Sequence, residues 1–99
     1  MTYPYDIQQF CKLRGYSAEY TAYWLAHPKD EARTGEFSVA PHHIRTRGAG
    51  GGDEAGNLLA LSWEKHREIE KGGTTRFCER HPWLRYKIEA ALAARRVPA

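Results

Sequence analysis

Between Arg45 and Gly56 the chain carries five glycines and no hydrophobic periodicity. Glycine loses more conformational freedom on ordering than any other residue, so such a stretch resists regular structure. It predicts a loop held only by local contacts. The loop limits what its flanks can form. Before it, Glu36-Phe37-Ser38-Val39-Ala40 alternates polar and apolar and predicts a short strand. After it, Asn57-Leu58-Leu59-Ala60-Leu61 is a compact apolar run that predicts a second strand. Ser62 suits the N-cap of a helix running through Lys71 and closed by Gly72-Gly73. The order is strand, loop, strand, helix.

Helices are expected on both sides of this unit. Asp6 suits an N-cap with Gln9 at the third helical position, a capping box. Tyr5 and Phe10 fit a hydrophobic staple, and Gly15 a stop. Ser17 caps a second short helix carrying Tyr20, Tyr23, Trp24 and Leu25, which Pro28 ends. Lys29 to Gly35 is polar and predicts a loop. Near the C-terminus a short helix from about Thr75 to Arg80 precedes His81-Pro82. Pro82 then suits the first turn of a last helix, whose Trp83, Tyr86, Ile88, Ala91 and Leu92 can cover the strand pair. Arg95 to Ala99 is expected to fray. No internal repeat is visible, and 99 residues form one small domain.

Composition narrows the chemistry. Formal net charge is +3; residues 1–50 carry six Lys/Arg against five Asp/Glu, and residues 51–99 nine against seven. A mild, spread excess permits nucleic-acid binding without demanding it. The two cysteines, Cys11 and Cys78, form no C-x-x-C pair, which excludes a thiolate zinc knuckle. Two buried thiols are expected rather than a disulfide. No apolar run reaches the roughly 18–20 residues of a membrane span. The first residues lack the basic and apolar regions of a signal peptide. The expectation is a cytoplasmic protein.

Histidine is the side chain best suited to hold a divalent metal or move a proton near neutral pH. His42 and His43 sit side by side, Asn57 follows fourteen residues after His43, and His66 nine later. Adjacent residues of a strand point to opposite faces, so one of the two histidines can bind metal while the other takes a proton from water. His66 and Glu70 lie four apart on the predicted helix and share a face. Arg45 and Arg47 can hold phosphate oxygens. A divalent ion stabilises charge on a phosphorus centre, and a positioned imidazole base contributes about 10²–10⁴-fold. The set suits metal-assisted attack on a phosphodiester.

His-His-Ile, the Gly-Gly-x-Asp loop, Asn-Leu-Leu-x-Leu and His-x-x-x-Glu together resemble the HNH endonuclease superfamily over about residues 36–83. The resemblance implies an α+β fold of ββα-metal type, with a two-stranded antiparallel sheet and helical extensions at 6–27 and 82–96. It implies His42 and His66 as metal ligands, His43 as general base, and Asn57 as the residue that pins the loop and orients that base. Glu70 falls where many relatives carry a further histidine and can complete the site. The implied activity is DNA cleavage leaving 5′-phosphate and 3′-hydroxyl ends, by a monomer or homodimer. The compact arrangement is similar to nucleases of phage and mobile elements. The chain departs from many relatives in lacking two cysteine pairs for structural zinc; aromatic packing and the flanking helices must hold the scaffold instead. One divalent ion is implied, with Mg²⁺ or Mn²⁺ favoured by the carboxylate and Zn²⁺ or Ni²⁺ also accepted.

Plainer roles stand beside these. Glu70 can simply pair with Arg67 or Lys71. Asp53 can be a turn residue or a carboxylate near the metal. His27 and His81, beside prolines at helix ends, suit structural roles. Tyr20, Tyr23, Trp24, Trp83 and Tyr86 suit the core better than base stacking. The rival functions are a DNA-binding module that does not cut, and a structural zinc domain.

Overall fold

The structure is a computed structural model and describes residues 6–94. Tyr5 of the expected staple and the tail from Arg95 lie outside the described residues. Five α-helices and one two-stranded antiparallel sheet build an α+β fold: α1 (Ile7–Arg14), α2 (Ala18–Ala26), β1 (His42–His43), β2 (Leu58–Leu59), α3 (Trp63–Gly72), α4 (Thr74–Arg80) and α5 (Arg85–Ala93). None of these helices is long and apolar enough to cross a membrane.

The expected caps of the first two helices form. Asp6 Oδ1 accepts from the Gln9 amide at 3.1 Å, and Ser17 Oγ from the Tyr20 amide at 3.1 Å. Each satisfies an amide that has no partner within its helix. Gly15 ends α1 in the left-handed region at φ 72°, where a side chain would be strained. Ser62 occupies the N-cap of α3, but its side chain makes no capping bond. Its amide donates instead to the buried Asp30 Oδ2 at 3.3 Å.

The strand expectations shift. The ladder pairs His42 with Leu59 and His43 with Leu58, so it starts after the expected 36–40 strand. Residues 36–40 form no strand. Phe37 makes a lone bridge to Lys29, the Ser38 amide turns to Pro28 O, and only the Val39 amide reaches Leu61 O, at 2.9 Å. Pro41 then interrupts the pairing, because it has no N–H to donate. Asn57 closes a 3₁₀ turn, Ala55–Asn57, before β2 begins.

Residues Leu58 to Leu61 are wholly buried, because helices cover both faces of the sheet. Their side chains alternate between two cores. Leu58 and Ala60 join Ile7, Cys11, Tyr20, Tyr23 and Trp24 of α1 and α2. Leu59 and Leu61 join Ile44, Ile69, Phe77, Leu84, Ile88 and Ala91 on the side of α3–α5. Full burial of each leucine contributes about 1.5–3 kcal/mol. Cys11 and Cys78 are free thiols buried in these separate cores.

The C-terminal cover is narrower than expected. Pro82–Leu84 is a 3₁₀ turn and α5 starts at Arg85. That phase buries Leu84, Ile88 and Ala91, while Trp83, Tyr86 and Leu92 are exposed, Tyr86 by 87%. Trp83 Nε1 donates to Glu31 O at 2.9 Å. The Glu31 carboxylate accepts from the Ala60 amide at 2.8 Å and from the Tyr23 hydroxyl, with Lys87 beside it. This polar group ties α2, the residue that follows β2 and the C-terminal segment together.

Candidate functional site

The two cores divide the histidines. Residues directly opposite in an antiparallel ladder share a face, so His42, opposite Leu59, faces α3. His43, opposite Leu58, faces α2. The side chains follow this parity. The His42 ring meets the His66 ring edge-on, with centroids 5.2 Å apart and planes at 71°. The His43 ring stacks on Tyr20, with centroids 5.4 Å apart and planes at 20°.

On the α3 side, burial and the neighbouring His66 push the His42 pKa down to about 4. The imidazole is therefore neutral at pH 7, the state that ligates metal. His66 Nδ1 is buried without a hydrogen-bond partner. Glu70 Oε1 lies 3.6 Å from it, too far for a hydrogen bond, on a half-exposed side chain. Among the described residues no three His, Cys, Asp or Glu side chains are gathered to hold a metal ion. The donors nevertheless fit a cation: one neutral imidazole, one buried ring nitrogen lacking a partner, and a carboxylate alongside.

On the α2 side His43 has a carboxylate partner. His43 Nε2 lies 2.7 Å from Asp53 Oδ1. Asp53 Oδ2 accepts from Ser17 Oγ at 2.7 Å, and Arg47 stands 3.3 Å away. The hydrogen bond from His43 lowers the Asp53 pKa; burial opposes it, and Ser17 and Arg47 reinforce it. The Tyr20 hydroxyl, kept protonated by burial, donates to Pro41 O at 2.7 Å and braces the turn before β1.

Asn57 closes the glycine loop. Its Oδ1 accepts from the Arg45 amide at 2.8 Å, and its Nδ2 donates to Arg45 O and Gly52 O, each at 2.9 Å. The side chain is fully buried and its hydrogen bonds hold both ends of the loop. Gly51 passes so close that an added Cβ would lie 1.7 Å from Arg45 O. The tight backbone approach that glycine permits is thus used inside the loop. The loop is not held by local contacts alone, since Ser17 and α5 both grip it.

The arginines separate. Arg45 turns away from the histidines. Its guanidinium donates to Ala91 O at 2.7 Å and to Ala94 O, where a cation suits the negative end of α5. Arg47 remains 70% exposed beside Asp53. His27 and His81 both serve helix-end contacts: His27 Nδ1 lies 2.8 Å from Tyr23 O, and His81 Nε2 lies 2.9 Å from Glu68.

The structure therefore brings His42 and His66 together on one side, leaves Glu70 3.6 Å from His66 without completing a three-donor group, and places His43 and Arg47 about Asp53 on the other, with Asn57 in the loop. It adds Ser17 and Tyr20, which the sequence marks only as a cap and a core aromatic, and Asp53, which reads there as a turn residue or metal neighbour. No local signal links Ser17 to a loop 36 residues away. In comparison with known proteins, no family model, no curated protein and no solved structure matches this chain.

Proposed function

We infer that this chain is a metal-dependent DNA endonuclease of ββα-metal type. The observation that carries it is the meeting of His42 and His66 across β1 and α3, beside a loop closed by Asn57 and a separately held His43. His42 and His66 would hold the ion, with Glu70 alongside. When bound, a divalent ion supplies Lewis-acid stabilisation of charge on the phosphate.

The remaining chemistry belongs to the chain. His43 accepts a proton from water as the water oxygen bonds to phosphorus. The bond from phosphorus to the 3′ oxygen breaks with its electron pair, and that oxygen takes a proton from solvent. The ends are 5′-phosphate and 3′-hydroxyl. Arg47, exposed next to this histidine, steadies the phosphate. Asn57 keeps the loop shape on which both depend.

The test incubates the purified protein with supercoiled plasmid and Mg²⁺, Mn²⁺, Zn²⁺ or Ni²⁺, with EDTA as control. Metal-dependent nicking or linearisation is expected. Retention of plasmid without cleavage under every metal would favour the second reading, a DNA-binding module that does not cut. One observation favours that second reading: no three metal donors are gathered among the described residues.

A further inference from the structure

A histidine can take a proton reliably only if its ring is held in one orientation and one tautomer. His43 is held on two sides. Tyr20 stacks against the ring face, and Asp53 takes one ring nitrogen at 2.7 Å. Asp53 is itself fixed by Ser17, the cap of α2, at 2.7 Å, with Arg47 at 3.3 Å. Ser17 Oγ performs two tasks, accepting from the Tyr20 amide and donating to Asp53. One residue thus sets both the start of the helix that carries the stacking ring and the position of the carboxylate.

An ionised carboxylate only accepts hydrogen bonds. Nε2 of His43 must therefore carry the proton of the neutral ring, and Nδ1 keeps a lone pair. We propose that Asp53 is the positioning residue of His43, its carboxylate fixed by Ser17 so that Nδ1 is the nitrogen that takes the proton from water. Asp53 touches neither water nor phosphate in this role; it acts through the imidazole. Through Ser17 and Tyr20, α2 thereby belongs to the reaction centre. This rests on the nuclease reading above.

The experiment compares wild type, Asp53→Asn, His43→Ala and the double variant in single-turnover plasmid nicking, with imidazole proton spectra of the same metal-free proteins. Asp53→Asn is expected to lower the rate at saturating plasmid by about 10–10⁴-fold, between the loss of an outer partner of a metal-bound imidazole and the loss of the carboxylate behind a catalytic base. In the His43→Ala background the same substitution is expected to have no further effect. A downfield His43 Nε2–H resonance is expected in wild type and absent from Asp53→Asn. Ser17→Ala should weaken both signals and Ser17→Thr restore them, which keeps the test alive if Asp53→Asn fails to fold. Equal losses from Asp53→Asn in both backgrounds, or no slowly exchanging His43 Nε2–H in wild type, would overturn the proposal. Wild type that cuts as Asp53→Asn does also overturns it. Wild type that never cuts overturns the nuclease reading, and with it the catalytic meaning of the clamp, whatever the spectra show.

Discussion

His42 and His43 are joined by one peptide bond and occupy opposite kinds of surroundings. On the α3 side the polar groups are unfinished. His42 is half-buried against a second imidazole, and His66 Nδ1 has no hydrogen-bond partner. On the α2 side His43 Nε2 is paired, through the chain His43–Asp53–Ser17 with Arg47 beside it. A buried donor or acceptor left unpaired costs about 1–3 kcal/mol, so a cation at His66 Nδ1, as proposed above, would stabilise the α3 side. The contrast teaches how one dipeptide can serve two tasks: strand parity sends the rings to different layers, and the layers differ in what they leave unpaired.

The comparison breaks first on activity. His43→Ala is expected to cut plasmid about 10²–10⁴-fold more slowly, with circular dichroism and metal affinity by calorimetry unchanged. His42→Ala and His66→Ala should instead lose metal affinity. A variant of either ligand with full affinity separates the α3 side from the metal.

The cores come next. Leu58→Ala and Leu59→Ala should each cost about 2–5 kcal/mol in denaturant unfolding, since each empties a fully buried site. They should act on different faces. Leu58→Ala is expected to perturb the ring signals of Tyr20 and His43, and Leu59→Ala those on the α3 side. Identical patterns would mean that the two faces are not separate.

Acid should separate the faces in metal-free protein. His42 has a pKa lowered from 6.5 to about 4. The unfolded chain then binds the extra proton first, so this contribution is complete above pH 6.5 and is lost as pH falls toward 4. Its size is on the order of 2–3 kcal/mol. Asp53 is also depressed, chiefly by the hydrogen bond from His43. Its contribution is present above pH 3.8 and is lost only as pH falls through the lower folded value. Denaturant melts from pH 7 to 3 should show two acid limbs. His42→Gln should remove the upper limb and Asp53→Asn the lower.

The smallest effects concern the arginines. Arg45→Met should lower stability by about 1.5–3 kcal/mol, through lost charge-assisted bonds to the end of α5. Arg47→Ala should leave melting unchanged and reduce the salt dependence of DNA binding by about one phosphate contact. Equal losses of binding in both variants would return Arg45 to the phosphate.

Local rules made much of this fold legible. Asp6, Ser17 and Gly15 mark helix ends through contacts spanning three or four residues, and these form. The apolar run at Leu58 to Leu61 marks a buried strand, though not how short its ladder is. Where Pro41 interrupts pairing and Phe37 bridges to Lys29, strand-like alternation misleads, because hydrogen-bond partners are chosen by the packed chain. The same holds for α5, where Tyr86 and Leu92 have the right composition but the helix starts three residues late.

The sequence by itself offered opposite directions for His42 and His43 only if extended backbone reached them, since a period of two is a property of that backbone, and the ladder that supplies it lies beyond the expected 36–40 strand. The part of Asn57 in pinning the glycine loop was implied by the resemblance alone, since local pattern placed that residue at the head of the second strand. Only the tertiary structure decided what each ring meets. Tyr20, Ser17 and Asp53 on one side, His66 on the other, and the end of α5 for Arg45 lie up to 49 residues away along the chain. Contacts of that span depend on how helices settle on a sheet, and no local pattern of side chains records it.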